Sequence, residues 1–259
     1  MLMHEPDRNK VLLRKKDFDA VLFDMDGVVT RTATLHAAAW KQTFDEFLRA
    51  RPSAQGPLKL FDLELDYQRY VDGKPRYDGA VSFLASRGIS LPYGTPNDHP
   101  GTETVCAVGN RKESFFQGLL ESRGVDVFPS TLELLRSLRG AGLKTGIFSA
   151  SRHAGQVLAT ANVLSLFDAK VDGLDADRLG LPGKPDPATL LELARRLGAM
   201  PRRVAVVEDA IAGVQAGRAG HFRLVIGVNR SNTQGMLLDN GADVEVADLI
   251  EVGLAMNSN

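Results

Sequence analysis

The run AVLFDMDGVVT, residues 20–30, is the strongest structural signal in the chain. Its first half is short and apolar, which is typical of a strand buried on both faces of a parallel sheet. The strand ends in Asp24 and Asp26, and Gly27 permits a sharp turn directly after them. Two carboxylates one residue apart at a strand end offer the oxygen ligands that a divalent cation prefers. Taken alone, the run is also compatible with an acidic turn that has no chemical role.

Three more apolar runs alternate with helical patterns, and each ends in polar residues. The runs are LKTGIFSAS at 143–151, RRVAVVED at 202–209 and FRLVIGVN at 222–229, and the helical patterns are TLELLRSLRGAG, ATLLELARRLGA and AIAGVQAGRAG. This alternation predicts an α/β fold with a doubly wound, mostly parallel, Rossmann-like sheet. Ligands of such sheets bind at the carboxyl ends of the strands, where the polar residues lie.

Residues 34–124 interrupt the alternation with helical patterns and no convincing buried strand. They include a Pro- and Gly-rich stretch, LPYGTPNDHPGTET at 91–104, which is compatible with either disorder or a lid over a site. We therefore predict a core domain from residues 1–33 and 125–259, with a helical cap domain inserted at 34–124.

Composition excludes several classes of function. A net charge of −1 over 259 residues argues against a nucleic-acid partner, because binding a phosphate backbone needs concentrated positive charge. No run approaches the ~20 apolar residues of a membrane span, and the amino-terminal residues have no signal-length apolar run. The single cysteine, Cys106, excludes an internal disulfide and suits a reducing compartment. We expect a cytoplasmic protein with no membrane partner.

A second pair of carboxylates, Glu208 and Asp209, also follows an apolar strand. Sheet topology can bring this pair beside Asp24 and Asp26. Four carboxylates in one crevice repel one another unless a cation neutralises them, so the sequence predicts a Mg²⁺ site.

Two further elements offer positive charge and hydrogen-bond donors, which phosphoryl transfer requires. Ser149 ends a predicted strand, so that its hydroxyl and the following backbone N–H groups at Ala150 and Ser151 can cradle a phosphate. A plain helix N-cap is the alternative for either serine. Lys184 lies in the turn-forming segment GKPDP, where an isolated lysine is usually a solvated charge.

Together, DMDGVVT, FSAS, GKPDP and VVEDA resemble the four motifs of the haloacid dehalogenase superfamily of phosphotransferases. The resemblance implies that Asp24 is a nucleophile that becomes an aspartyl phosphate, and that Asp26 is the general acid and base. It further implies that Asp24, the backbone carbonyl of Asp26, and Asp209 hold Mg²⁺, with Glu208 in or beside the shell. Ser149 and Lys184 would clamp the phosphate. An aspartate at position 26 favours a phosphatase or mutase over a dehalogenase.

The inserted segment is similar to the cap of the β-phosphoglucomutase-like branch. In TATLHAAAWK, residues 32–41, the branch's pattern is matched by Thr32, His36, Trp40 and Lys41, and the histidine would connect cap closure to the acid/base residue. A helix-surface role is the alternative for His36.

The same branch uses an arginine in the cap for a second, non-transferring phosphate, and Arg76 in GKPRYDG matches it. Ser151 and Arg152 resemble its partners on the core side, and Lys112 in NRKESF either faces the cleft or is a solvated helix lysine.

Two departures from the branch leave the sugar and the geometry of the second phosphate open. Arg31 replaces an acidic residue, and His153 stands in the position of an asparagine near the sugar. The cap segment 70–116 is longer than in compact members and resembles a subgroup of bacterial β-phosphoglucomutase-like hydrolases. That subgroup includes accessory domains of some trehalose-phosphate enzymes.

Three functions follow from these motifs. The first is a β-phosphoglucomutase that interconverts β-glucose 1-phosphate and glucose 6-phosphate through a bisphosphate. The second is a phosphatase acting on a sugar phosphate or a similar small monoester, and the third is a non-catalytic accessory domain, which the complete motif set disfavours. We expect a small phosphorylated sugar as the substrate, no nucleic-acid or membrane partner, and a monomer or weak dimer.

Overall fold

The computed structural model describes residues 11–51, 56, 58–230 and 235–255. Its main sheet contains six parallel strands: β2 Ala20–Asp24, β3 Lys144–Phe148, β4 Ala169–Val171, β5 Val204–Glu208, β6 Leu224–Val228 and β7 Val244–Val246. The strand order is β4-β3-β2-β5-β6-β7, so the chain reverses direction across the sheet on either side of β2. This order confirms the predicted α/β fold.

Helices flank the sheet and form the inserted segment. Their bounds are α1 Ala33–Arg49, α2 Arg76–Ser86, α3 Val105–Arg123, α4 Pro129–Gly140, α5 Ala154–Thr160, α6 Gly173–Leu179, α7 Ala188–Leu197, α8 Ile211–Ala219 and α9 Met236–Asp239. Helices α4, α7 and α8 lie at the three helical patterns predicted between strands.

Every residue of β2 and β5 is buried. Successive side chains of a strand point to opposite faces. Val21 and Phe23 accordingly join one apolar cluster, and Ala20 and Leu22 join the other. Apolar cores on both faces explain why these strands are near-continuous apolar runs rather than alternating ones.

The register of the sheet aligns the polar strand ends. Asp24 lies opposite Phe148 of β3, and Phe23 lies opposite Val207 of β5. Ser149 and Glu208, each one residue further along, therefore lie at the same edge as Asp24. This edge is the predicted place for a ligand.

Helices α1 to α3 pack around an apolar cluster of their own that includes Trp40, Phe44, Phe61 and Phe83. A separate cluster favours the predicted cap at 34–124, although the exact domain boundaries stay a prediction. Within the described part of this segment no strand is formed.

The Pro- and Gly-rich stretch at 91–104 is held by one aspartate. Asp98 accepts hydrogen bonds from the backbone and hydroxyl of Thr95 and from the hydroxyl of Thr104. Asn110 donates to the carbonyls of Pro96 and Asp98. These contacts give the stretch a defined path beside the cap helices.

Strand β1, Val11–Leu13, pairs with β8, Val252–Leu254, in a two-stranded parallel sheet that the sequence pattern does not predict. Among the described residues, no helix is long and apolar enough to cross a membrane.

Candidate active site

The turn after β2 is built by backbone and hydroxyl hydrogen bonds. Gly27 has φ +83° and donates from its N–H to the Thr30 carbonyl at 2.8 Å. The Thr30 hydroxyl donates back to the Met25 carbonyl at 3.1 Å. A residue with a Cβ is strained at this φ, so glycine is needed for the chain to turn directly after the two aspartates.

Lys184 is a buried cation between two buried carboxylates. Its Nζ donates to Asp24 Oδ1 at 2.8 Å and to Glu208 Oε2 at 3.0 Å. Burial alone would lower the pKa of Lys184, but the two carboxylates outweigh it and raise the pKa above its ordinary value. Lys184 is therefore buried, and the alternative of a solvated turn lysine is wrong. Burial, followed by the charge of Glu208, raises the pKa of Asp24.

Asp24, Glu208 and Asp209 form an acidic group in which one oxygen from each lies within 4.8 Å of the others. A Cβ at position 27 would lie 1.7 Å from Asp209 Oδ2. Only glycine at this position leaves room for the Asp209 carboxylate. Burial, then the charges of Asp72, Glu208 and Asp24, raise the pKa of Asp209. Hard carboxylate oxygens held against mutual repulsion fit Mg²⁺.

Glu208 already has several donors. Its Oε1 accepts from the N–H groups of Asp209 at 3.2 Å and Ala210 at 3.0 Å, in addition to Lys184 on Oε2. Its carboxylate thus fixes the turn after β5 and orients Lys184. Because these donors already occupy the Glu208 carboxylate, we expect Glu208 to lie beside a bound cation and Asp24 and Asp209 to be its direct ligands.

Asp26 lies between hydroxyl groups from two elements. The Thr32 hydroxyl donates to Oδ1, and Ser149 Oγ lies 3.4 Å from Oδ2. Burial would raise the pKa of Asp26, but His36, the Thr32 hydrogen bond and Lys112 together hold it below its usual value. The carboxylate is thus oriented and ionised in the closed site.

His36 connects Asp26 with the cap. Lys112 Nζ lies 2.7 Å from His36 Nδ1, and a lysine ammonium has only donors, so Nδ1 accepts. The proton of the neutral imidazole is therefore on Nε2, which lies 3.4 Å from Asp26 Oδ1. Burial, followed by the Lys112 charge, lowers the pKa of His36 and keeps it neutral. The ring also stacks on Phe116 with centroids 3.9 Å apart.

Lys112 is buried on α3 and is not a solvated helix lysine. Its Nζ lies 4.6 Å from the centroid of Phe116 and 5.6 Å from that of Trp40. Burial lowers the pKa of Lys112 to about 8. Burying a charged lysine costs free energy of folding unless its contacts compensate for the lost hydration. Lysines with a pKa lowered in this way are typical of functional sites.

The loop after β3 has an internal hydrogen-bond ladder. Ser149 Oγ accepts from the Ser151 N–H at 3.0 Å, and Ser151 Oγ accepts from the His153 N–H at 3.2 Å. His153, not either serine, is the N-cap residue of α5, so the helix N-cap alternative is wrong for both serines. Ala150 and the two serines line the cavity described below.

The cap segment packs closely against the core domain at two glycines. A Cβ at Gly73, where φ is +68°, would lie 2.9 Å from Ala210 Cβ and 3.5 Å from Lys184 Nζ. A Cβ at Gly183 would lie 2.1 Å from Pro75 Cγ. Glycines from both sides therefore permit this close approach.

A cavity of about 320 Å³ lies between the cap and the sheet edge. This volume is within the range of small-molecule sites, about 300–1,000 Å³. Both ends of the cavity carry predicted site residues, which are Asp24, Asp26, His36, Arg76, Lys112, Ser149, Ala150, Ser151, Arg152, Lys184, Glu208 and Asp209. Thr32 reaches it through Asp26.

The basic side chains at the far end of the cavity lie beside carboxylates. Arg76 Nη1 lies 3.2 Å from Glu113 Oε2, and His153 Nε2 lies 3.1 Å from Glu113 Oε1. Arg152 Nε lies 3.3 Å from Asp177 Oδ2. Arg76 and Arg152 therefore both line the cavity, but each is paired with a different protein carboxylate.

Two residues of the resembling runs lie outside the site. Arg31 is exposed and places its guanidinium 4.5 Å from the Phe128 ring centroid. Lys41 donates to the Phe61 carbonyl at 2.8 Å and pairs with Asp45 inside the cap. The departure at Arg31 is therefore a surface feature near the cap junction.

Three further residues that the sequence motifs do not predict line the cavity: Tyr67, Asp72 and Glu113. Burial, followed by the Glu208 charge, raises the pKa of Asp72 to about 7. Tyr67 begins a single π-helical turn, Tyr67–Val71, just before the glycine that touches the core. Glu113 is adjacent to Lys112 in NRKESF, but an isolated helix glutamate is usually solvated.

Comparison with known proteins agrees with this geometry. The family model of haloacid dehalogenase-like hydrolases matches residues 18–221. The chain is 42% identical over 249 residues to β-phosphoglucomutases of Mycobacterium bovis and Mycobacterium tuberculosis, covering 95% of each chain. It is also 39% identical over 234 residues to an uncharacterized glycosyl hydrolase of Mycobacterium tuberculosis, covering 90% of this chain and 17% of that protein. A putative β-phosphoglucomutase from Bacteroides vulgatus superposes with a TM-score of 0.71 and 25% identity, covering 91% and 86%.

The chain belongs to the haloacid dehalogenase-like hydrolase family. It is an enzyme of the mutase or phosphatase type, in the β-phosphoglucomutase-like branch.

Proposed function

We propose that the enzyme is a β-phosphoglucomutase that interconverts β-glucose 1-phosphate and glucose 6-phosphate. The carrying observation is that one cavity between the cap and the sheet edge is lined by Asp24, Ser149 and Lys184 and also by Arg76 of the cap. A phosphorylated sugar of this kind has an anion at each end during the cycle. The name of the 42% identical mycobacterial relatives supports the same substrate class.

Asp24 is the proposed nucleophile. Lys184 engages its Oδ1, so we assign the attack on phosphorus to Oδ2. The P–O bond to the sugar breaks as the P–O bond to Asp24 forms, and the phosphoryl group is held by Lys184 and Ser149. The leaving sugar oxygen takes a proton from Asp26, which is otherwise ionised and carries the proton that it accepts from the attacking sugar hydroxyl in the other half of the cycle.

Return of the phosphoryl group completes the mutase reaction. The free hydroxyl of β-glucose 1-phosphate gives its proton to Asp26 as it attacks the aspartyl phosphate, which forms the bisphosphate and frees the Asp24 carboxylate. The bisphosphate then reorients and returns its other phosphoryl group to Asp24, so that glucose 6-phosphate leaves. Closure of the cap excludes water from this intermediate, which otherwise would be hydrolysed. Arg76 binds the phosphate that is not transferred, and a planar guanidinium suits this bidentate task.

The residues present fit Mg²⁺, which Asp24, the backbone carbonyl of Asp26, and Asp209 would hold with Glu208 beside them. When bound, the cation supplies positive charge that balances the carboxylates and the transferring phosphoryl group.

A phosphatase is the second candidate, with water attacking the aspartyl phosphate. The observation in its favour is that Arg76 and Arg152 are each engaged by a carboxylate.

Cytoplasmic location and a monomeric or weakly dimeric state stay predictions.

We expect Asp26→Asn to reduce turnover by ~10²–10⁴-fold, the usual contribution of a positioned acid/base group. Sugar phosphates have poor leaving groups and should lose more than p-nitrophenyl phosphate, whose leaving group needs no proton. Steady-state kcat/KM for both substrates checks this. Equal losses on both would mean that Asp26 acts only through the metal or the fold.

We expect Arg76→Ala to lower mutase kcat/KM by roughly one to two orders of magnitude, because a charge-assisted hydrogen bond contributes ~1.5–3 kcal/mol. Arg76→Lys should recover part of the loss, since lysine lacks the planar fork. Hydrolysis of p-nitrophenyl phosphate, which has no second phosphate, should change far less.

The matched control is Arg49→Ala, which removes an exposed arginine of α1 that does not line the cavity. If both Arg76 variants keep the parental mutase rate, or lose both reactions in parallel, Arg76 does not bind a second phosphate and the phosphatase function is favoured.

A further inference from the structure

Glu113 occupies a central position at the far end of the cavity. Its Oε2 lies 3.2 Å from Arg76 Nη1, and its Oε1 lies 3.1 Å from His153 Nε2. Gln117 donates to Oε1 at 2.8 Å and fixes the carboxylate from one helical turn away. The side chain is mostly buried, with 19% of its surface exposed.

This carboxylate bridges the cap and the core. Glu113 and Arg76 belong to α3 and α2, whereas His153 is the N-cap residue of α5. Arg76 is further held by its Nη2 contact with the Tyr77 hydroxyl at 3.0 Å, and its buried Nε has no hydrogen-bond partner among the described residues. The guanidinium is therefore only partly satisfied by the protein.

Neighbouring protein groups stabilise the negative charge of Glu113. Burial would raise the pKa of Glu113, but Lys112, the Gln117 hydrogen bond, His153 and Arg76 together hold it below its usual value. Glu113 is thus an anion at neutral pH. An incoming phosphate must meet Arg76 beside a fixed like charge, which disfavours it.

We propose that Glu113 determines specificity because its carboxylate occupies the position beside Arg76 that a distal phosphate would take. Its carboxylate holds Arg76 and His153 together across the cleft, and a sugar bisphosphate binds only as Glu113 gives up these partners. This inference rests on the proposed second-phosphate role of Arg76. Glu113 would weaken the binding of ligands that have a distal phosphate, relative to ligands that lack one.

The test measures binding without turnover, in an Asp24→Asn background with Mg²⁺. Calorimetry gives the dissociation constants of glucose 1,6-bisphosphate and β-glucose 1-phosphate, and their ratio reports the contribution of the second phosphate. Glu113→Gln keeps the shape and removes the charge. We expect it to shift the ratio towards the bisphosphate by about tenfold, the size of one charge-assisted contact.

Two further variants control this measurement. Glu113→Asp keeps the charge and should stay closer to the parent than Glu113→Gln. Glu121→Gln removes an exposed carboxylate of the same helix that does not line the cavity, and it should leave the ratio unchanged.

An unchanged ratio in Glu113→Gln, or a shift towards the monophosphate, overturns the proposal. The outcome for the proposed function is separate. If Arg76→Ala in the same background leaves the ratio unchanged, Arg76 does not bind the second phosphate. The bisphosphate dissociation constant of Glu113→Gln, which should still fall about tenfold, then decides on Glu113 alone.

Discussion

Replacing Asp24 by asparagine should reduce turnover by on the order of 10⁴–10⁶-fold, as expected when a covalent nucleophile is removed. The amide keeps the shape of the side chain but neither attacks phosphorus nor supplies a negative charge to a cation. The fold should be retained, because burial, followed by the charge of Glu208, raises the pKa of Asp24, so that the ionised carboxylate is not favoured by the fold. Lys184 also keeps its second partner, Glu208, at 3.0 Å.

Kinetics on a sugar phosphate and on p-nitrophenyl phosphate, together with a thermal unfolding curve, check this result. The matched control is Asp239→Asn, an exposed aspartate of α9 that does not line the cavity. Near-parental activity of Asp24→Asn with either substrate would remove the proposed nucleophile. A lost fold would show as a lowered unfolding midpoint, and mass spectrometry of the parent for a phosphorylated Asp24 would then decide.

Removal of divalent cations should lower activity on the order of 10²-fold or more, since a bound metal contributes several kcal/mol of charge stabilisation to such a transition state. Without a cation, the acidic group of Asp24, Glu208 and Asp209 repels a phosphate dianion. The expectation does not depend on which sugar is the substrate.

Rates measured in excess EDTA, and again after adding back Mg²⁺ or Ca²⁺, check the metal. Mg²⁺ should restore the rate, whereas Ca²⁺, which takes longer bonds and more ligands, should restore less. Full activity in excess EDTA contradicts the metal assignment.

The sheet and the catalytic edge followed from sequence because each depends on local pattern. Buried parallel strands are apolar along their whole length, and parallel strands bring their carboxyl ends together. The placement of Asp24, Ser149 and Glu208 at one edge of the sheet could therefore be predicted without knowledge of any contact. Lys184 was harder, since nothing in GKPDP shows that its ammonium is buried.

The far end of the cavity could not be predicted in the same way. The pairing of Glu113 with His153 depends on how the cap docks on the core, and residues 113 and 153 share no local pattern. Likewise, Asp72 is an ordinary turn residue until Gly73 brings it against the core. The pairing of β1 with β8 was missed because a three-residue strand has too few residues to show a period.

The central claim is that this enzyme moves a phosphoryl group from one end of a hexose to the other. It is tested most directly by incubating the enzyme with Mg²⁺, β-glucose 1-phosphate and a trace of glucose 1,6-bisphosphate, and measuring glucose 6-phosphate and free phosphate in the same samples. We expect glucose 6-phosphate to form faster than phosphate is released. Release of phosphate without glucose 6-phosphate would contradict the mutase assignment.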